Sequence, residues 1–98
     1  MDKRQYYLQK IAEEALEVAT AAMKCIQFGN DSRDPSEPDG LSNQEYLELE
    51  LNDLMGAVFA ARNCGLVCEG FDREAIRNKE LKIDKYYDLC VKLGTVKE

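Results

Sequence analysis

Apolar residues recur at three- and four-residue intervals over most of this 98-residue chain, which is the spacing that favours an α-helix. Helices are predicted over residues 2–28, 42–63 and 72–93. Ser42, with Glu45 three residues later, is typical of a capping box and marks the start of the second helix. No segment of comparable length shows the alternation of a β-strand. The sequence therefore predicts an all-α protein.

The first predicted helix is apolar over more than one face. Its predicted core stripe is Leu8, Ile11, Ala15, Val18, Ala22 and Ile26, and further apolar residues widen it at Ala12, Leu16, Ala19 and Met23. The stripe of the second helix is Leu47, Leu51, Leu54, Val58 and Ala61. That of the third is Ile76, Ile83, Tyr86 or Tyr87, Cys90 and Leu93. We expect one domain over residues 1–98, built as two long antiparallel helices plus a C-terminal helix and completed by oligomerisation.

The segment between the first two helices, residues 29–41, contains both prolines of the chain and shows no periodicity. It is predicted to be a loop, with Gly29 as the C-terminal cap of the first helix. A loop of this length is often functional or mobile, although simple tolerance explains it equally well. We expect it to border or close over a site between the two helices.

Charge and composition exclude several classes of function. The net charge of −6 disfavours binding to duplex nucleic acid, which normally requires a basic face. The chain has no histidine, and its cysteines, at positions 25, 64, 68 and 90, do not have zinc-site spacing. We therefore expect reduced thiols and a cytoplasmic protein. No apolar run is long enough for a membrane span and no signal peptide is evident, so no membrane partner is expected.

Acidic residues are grouped at two places in the helical pattern. Glu13, Glu14 and Glu17 lie within one side of the first helix, and Glu50 and Asp53 lie one turn apart on the second. If the two helices pack side by side, these carboxylates come together in an oxygen-rich pocket suited to Mg²⁺ or Mn²⁺. A solvated acidic face remains an equal alternative in a chain this acidic.

Lysines and tyrosines offer groups that could bind an anionic aromatic ligand. Lys79, Lys82 and Lys85 form a ridge on the third helix that could donate to phosphate oxygens, although a solvated face is the simpler interpretation. Tyrosines could stack on a base, although half-buried packing is their more common role. They lie at Tyr6, Tyr7, Tyr46, Tyr86 and Tyr87.

An EExxE motif on a first helix followed by ExxD on a second resembles the signature of the MazG-like all-α nucleoside triphosphate pyrophosphohydrolases. The similarity extends beyond the motifs and covers most of the chain. The segments that carry it are AEEALEVA at 12–19, KCIQFG at 24–29, ELELNDL at 48–54, KELKIDKY at 79–86 and LGTV at 93–96. The chain is most similar to the small single-domain members, although it departs from many of them in the long spacer between Glu17 and Glu50.

The resemblance implies a Mg²⁺-dependent enzyme that hydrolyses a nucleoside triphosphate to the monophosphate and pyrophosphate, working as a homodimer or homotetramer. The implied metal ligands are Glu14, Glu17, Glu50 and Asp53, and Glu13 matches the first acid of the motif and joins them as a catalytic residue. The implied substrate-binding residues are Lys24, Lys79, Lys82, Lys85 and Tyr86. Two alternatives remain: a helical interaction module without enzymatic activity, and a degenerate family member that binds nucleotides without hydrolysing them.

Overall fold

The computed structural model describes residues 1–67 and 71–98, which form three α-helices and no β-strand within those ranges. The helices are α1, Lys3–Phe28; α2, Asn43–Asn63; and α3, Arg73–Leu93. The all-α class predicted from the sequence is confirmed. None of the described helices contains an apolar stretch that could cross a membrane.

The chain divides into two compact units, Met1–Cys68 and Glu69–Glu98. The first unit contains α1, α2 and the loop between them, and the second contains α3. A single domain in which α3 packs against the first two helices therefore stays a prediction. Of the four cysteines, those at 25, 64 and 90 are free thiols, and Cys68 lies outside the described residues.

Local signals set the helix boundaries. The side chain of Ser42 accepts a hydrogen bond from the backbone of Glu45, whose own side chain accepts from the backbone of Ser42 at 2.9 Å. This confirms the predicted capping box, which satisfies two donors that the first turn leaves without partners. At the end of α1, Gly29 has a φ of 93° and donates its backbone N–H to the carbonyl of Cys25. Glycine is favoured there because a side chain would strain a positive φ.

α1 and α2 form an antiparallel pair. At one end, the side-chain amide of Asn43 donates to the carbonyl of Gly29 at 2.9 Å. At the other end, hydrogen bonding between Tyr7 and the Cys64 thiol raises the pKa of Tyr7. The buried apolar residues of the described chain are Ala21 and Ala61. Their small side chains allow two helices to approach closely, because the distance between helix axes depends on the residues at the contact.

The buried line along α1 differs from the predicted stripe. Ile11, Val18 and Ala22 are at least half-buried as predicted, but Leu8, Ala15 and Ile26 are exposed, with Ile26 at 77%. Glu14 is half-buried in place of Ala15. Because α1 is apolar around most of its girth, hydrophobicity alone did not select one face.

The buried face of α2 also differs from its predicted stripe. Leu47, Leu54, Val58 and Ala61 are half-buried or buried as predicted, whereas Leu51 is exposed. The neighbouring Glu50 is half-buried instead. The partly buried faces of α1 and α2 therefore each include a carboxylate. These two carboxylates place the candidate site between the helices.

Most residues of the predicted inner face of α3 are exposed. Among its members only Cys90 is half-buried, and the others are exposed: Ile76, Ile83, Tyr86, Tyr87 and Leu93. No described residue of α3 is fully buried. Its start and end match the sequence prediction, because Asp72 caps the first turn and Gly94 adopts the left-handed conformation after Leu93.

Candidate functional site

Three carboxylates converge where α1 faces α2. Glu14 comes from α1, and Glu50 and Asp53 come from α2, one helical turn apart. One oxygen from each side chain lies within 4.8 Å of the other two. Glu14 and Glu50 are half-buried and Asp53 is exposed. We refer to Glu14, Glu50 and Asp53 as the acidic cluster.

The acidic cluster is electrostatically strained. The pKa of Glu50 is raised above its ordinary value of 4.5, first by burial and then by the negative charges of Glu17, Asp53 and Glu14. Burial and like charges both disfavour the ionised form of a carboxyl group. None of the three cluster residues forms an ion pair with a cation among the described residues. A bound cation would remove this strain.

The donor set fits a hard divalent cation. Mg²⁺ binds oxygen ligands at about 2.1 Å in octahedral geometry, so neighbouring ligand atoms lie roughly 3 Å apart and opposite ones roughly 4 Å apart. The three cluster oxygens lie within 4.8 Å of one another, which is close to these ligand-to-ligand distances. Small side-chain rotations on exposed or half-buried residues would close the remaining distance. The cluster holds no sulfur or nitrogen ligand, which suits Mg²⁺ or Mn²⁺ better than zinc or copper.

The remaining predicted acids lie outside the cluster but differ from each other. Glu13 is exposed and pairs with Lys10 across 3.2 Å, so it already has a cation beside it. Glu17 is also exposed, yet its charge contributes to the raised pKa of Glu50. The structure thus brings together Glu14, Glu50 and Asp53, leaves Glu17 beside them, and turns Glu13 outward. The catalytic role of Glu13 stays a prediction.

A small cavity continues from the acidic cluster along the two helices. It measures about 70 Å³ and has room for a few atoms rather than a whole ligand. Glu17 and Glu50 line it together with one cation, Lys24, and four further residues: Thr20, Ala21, Asn43 and Tyr46. We call it the acidic cleft. Lys24, predicted to bind substrate, therefore lies beside two of the predicted metal ligands.

A larger pocket opens where α1 ends and α2 begins, and we call it the loop pocket. Its volume is about 540 Å³, within the range of small-molecule sites. It shares Lys24, Asn43 and Tyr46 with the acidic cleft, and its other lining residues are Phe28, Ser32, Arg33, Asp34, Pro35, Glu37 and Leu41. The sequence predicted that the loop borders a site between the two helices, but of the residues that line this pocket it named only Lys24 as substrate-binding and Tyr46 as able to stack on a base. The long loop, which contains both prolines, indicated that a pocket could form here. Its length did not show which helix residues it would contact.

On its other side, the acidic cluster borders a shallow surface depression that we call the tyrosine groove. Glu14 and Asp53 line it with Tyr6, Tyr7 and Lys10, and the remaining members are Asn52, Gly56, Ala57 and Ala60. The rings of Tyr6 and Tyr7 contact edge to face with centroids 5.4 Å apart. The cluster thus has a candidate ligand surface on each side.

The other predicted substrate-binding residues are on α3, in the second unit of the chain. Lys79, Lys82, Lys85 and Tyr86 are all exposed. The three lysines form no salt bridge within the described residues. Their part in substrate binding stays a prediction.

Scans against protein-family models, curated proteins and solved structures return no match to the chain. Membership of the MazG-like family therefore stays a prediction from the residues that resemble it. Those residues and the geometry of the acidic cluster are the features of the chain that point to a function.

Proposed function

We propose that this chain is a Mg²⁺-dependent nucleoside triphosphate pyrophosphohydrolase of the MazG-like type. The observation that carries the proposal is the convergence of Glu14, Glu50 and Asp53 from two helices within 4.8 Å. These residues belong to the EExxE and ExxD motifs, and a chance acidic surface has no reason to join those two motifs in space. The raised pKa of Glu50 adds support, because perturbed carboxyl groups concentrate at functional sites.

Each group near the acidic cluster has a role in this proposal. Glu14, Glu50 and Asp53 hold the cation, with Glu17 completing the ligand set from the neighbouring turn. When bound, Mg²⁺ supplies positive charge that neutralises the phosphates and lowers the pKa of the attacking water. Lys24 lies in the acidic cleft with Glu17 and Glu50, where its ammonium group binds a phosphate oxygen of the substrate.

The reaction uses water as the nucleophile. Water attacks the α-phosphorus, the bond to the bridging oxygen breaks, and pyrophosphate leaves with the electron pair of that bond. The products are a nucleoside monophosphate and pyrophosphate. The chain has no histidine, so nucleophiles that depend on a histidine base are excluded. Lysines are suited to binding the phosphate oxygens that carry charge in the transition state.

The proposal includes an oligomeric bundle that works in the cytoplasm, where nucleoside triphosphates are found. No large apolar side chain among the described residues is fully buried, and α1 exposes Leu16, Met23 and Ile26 in the single chain. Helices with this much apolar surface are normally covered by another helix. A homodimer or homotetramer in which second copies cover α1 and α3 would supply the missing core. Light scattering that finds a folded monomer at low micromolar concentration would contradict this part.

Pyrophosphate release across a panel of nucleoside triphosphates, with Mg²⁺ and with a chelator, tests the proposed activity. We expect turnover that requires Mg²⁺ and that Glu50→Gln abolishes. Glu48→Gln is the matched control, because Glu48 is on the same helix and is exposed outside the acidic cluster. Equal loss of activity in the two variants would show that the cluster has no special role.

The two alternatives give different results in the same experiments. A nucleotide-binding protein without hydrolysis would bind triphosphates in the presence of Mg²⁺ and release no pyrophosphate. A helical interaction module would show neither turnover nor a rise in melting temperature with Mg²⁺. Either result would overturn the proposed enzyme.

A further inference from the structure

We propose that the loop pocket binds the base and sugar of the nucleotide whose phosphates enter the acidic cleft. This inference rests on the proposed function, since it assigns the part of the substrate that the acidic cluster does not contact. It also gives the segment between α1 and α2 a role in substrate choice.

The lining of the loop pocket suits a flat heterocycle. Phe28 at the end of α1 is 64% exposed, and Tyr46 on the second turn of α2 is 40% exposed. Aromatic rings that are exposed at a pocket wall offer their faces to a base, and such stacking tolerates every base. Ser32 and Asn43 line the same pocket. The Ser32 hydroxyl already donates to Phe28 and the Asn43 amide to Gly29, but the side-chain oxygens of both can still accept hydrogen bonds from sugar hydroxyls or the N–H groups of a base. A volume of about 540 Å³ admits a nucleoside.

The loop pocket and the acidic cluster are continuous. Lys24, Asn43 and Tyr46 line both the loop pocket and the acidic cleft. Glu50 then lines the acidic cleft and belongs to the cluster. A ligand with a base in the loop pocket therefore passes Lys24 before its phosphates reach Glu50. This is the order of base, sugar and phosphates along a nucleotide.

Hydrogen bonds hold the wall of the loop pocket in place. The backbone N–H of Asn43 donates to the carbonyl of Ser32 at 3.0 Å, and that of Gln44 donates to Asn30 at 2.9 Å. Arg33 donates from Nε to the carbonyl of Gly40 at 2.9 Å, which closes the loop on itself. A wall that is already ordered costs less entropy when a ligand binds.

The tyrosine groove is the competing surface, and its aromatic groups are already engaged. Lys10 lies over the ring of Tyr6 at 5.2 Å from the centroid, where a stacked base would lie. Tyr7 meets the Tyr6 ring edge to face and hydrogen-bonds with Cys64. A base entering this groove would displace these contacts, whereas no aromatic or cation–π contact within the described residues involves Phe28 or Tyr46. The observations favour the loop pocket.

NMR titration of the full chain, labelled with ¹⁵N, tests this inference without requiring turnover. The probes are a panel of deoxynucleoside monophosphates and, separately, inorganic tripolyphosphate with Mg²⁺, which has phosphates but no base. We expect the monophosphates to shift the amide signals of Phe28, Ser32 and Tyr46. In Tyr46→Ala, monophosphate affinity should fall about 10-fold, in line with the loss of one stacking contact, while tripolyphosphate affinity stays within about 2-fold.

Phe28→Ala provides a second variant, since a residue this exposed contributes little to the fold, and each spectrum reports whether the variant is folded. Tyr6→Ala is the matched control from the tyrosine groove and should leave monophosphate affinity unchanged. Shifts at Tyr6 and Tyr7 instead, or unchanged affinity in both Phe28→Ala and Tyr46→Ala, would overturn the assignment of the loop pocket. Turnover of triphosphates would still stand in that case. Failure to bind any nucleotide and to release pyrophosphate would overturn the proposed function together with this inference.

Discussion

Glu45 and Glu50 lie on the same helix, yet their pKa values are displaced in opposite directions. Hydrogen bonds from the backbone and hydroxyl of Ser42 lower the pKa of Glu45, and Arg33 adds to this effect from 3.6 Å. Burial and the charges of Glu17, Asp53 and Glu14 raise the pKa of Glu50. Ionised Glu45 stabilises the start of α2, whereas ionisation of Glu50 destabilises the folded protein.

The difference separates structural carboxylates from candidate ligands. Glu45 accepts hydrogen bonds at the helix cap and pairs with Arg33, and Glu13 forms a salt bridge with Lys10. The acidic cluster collects like charges instead. Natural proteins keep such strain mainly where it serves a function. Removing these charges one at a time measures the strain and the relief that a cation would give.

Asp53→Ala should produce the largest effect. It removes a ligand and a repelling charge together, so we expect hydrolysis to fall by about 100-fold or more. The helices should remain, and the melting temperature without metal should be equal to or above that of the unaltered protein. Melting curves with and without Mg²⁺ check this, because Mg²⁺ should stabilise only a chain with an assembled site. Equal Mg²⁺ shifts in both proteins would remove support for the metal site.

Shortening the loop between α1 and α2 should affect ligand binding more than folding. Residues 30–39 are all exposed, so replacing 34–37 with a Gly-Gly link removes a wall of the loop pocket without removing core. We expect nucleoside monophosphate affinity to fall about 10-fold, as for loss of a base contact. Circular dichroism and calorimetric titration measure the two effects. Loss of helical signal would show that the loop is structural.

Ser42→Ala should destabilise the protein by about 1 kcal/mol, because it removes the cap that satisfies the first turn of α2. Ser36→Ala is the control, since Ser36 is exposed and bonds only within the loop, to Asp34. That variant should change the free energy of unfolding by no more than about 0.5 kcal/mol. Urea denaturation separates the two, and equal changes would mean that the capping box does not stabilise α2.

Replacing Glu45 or Glu50 with glutamine should change the free energy of unfolding at neutral pH by small amounts of opposite sign. The folded pKa of Glu50 is raised, so its ionisation weakens the fold as pH rises through that pKa. Glu50→Gln should therefore stabilise the protein at neutral pH, and the gain should disappear at acid pH. The folded pKa of Glu45 is lowered, so its contribution is present at neutral pH and lost as pH falls through that pKa. Glu45→Gln should destabilise the protein at neutral pH only.

Melting temperatures of the three proteins from acid to neutral pH, in a chelator, measure these differences. Both effects should be small, because solvent screens the charges of exposed groups. Changes of the same sign in the two variants would contradict the contrast between the two glutamates. Mg²⁺ should reduce the difference in melting temperature between Glu50→Gln and the unaltered protein, because the unaltered protein then gains a bound cation.

The sequence by itself determined where each helix begins and ends. The Ser42–Glu45 pair, Gly29 and Gly94 act on backbone groups within a few residues, so their effect can be read locally. It also determined that Glu50 and Asp53 lie one turn apart on α2, because helical geometry fixes that relation. These features required no knowledge of distant residues.

Only the tertiary structure decided which faces of α1 and α2 turn inward. Glu14 and Glu50 are half-buried where Ala15 and Leu51 were expected, and this choice brings Glu14 to Asp53. The apolar residues of α1 cover so much of its circumference that several orientations bury similar area. Ala21 on α1 and Ala61 on α2 are both buried, and their burial depends on how two whole helices fit together. The loop pocket arises in the same way, because its walls come from the end of one helix, the start of the next and the loop between them.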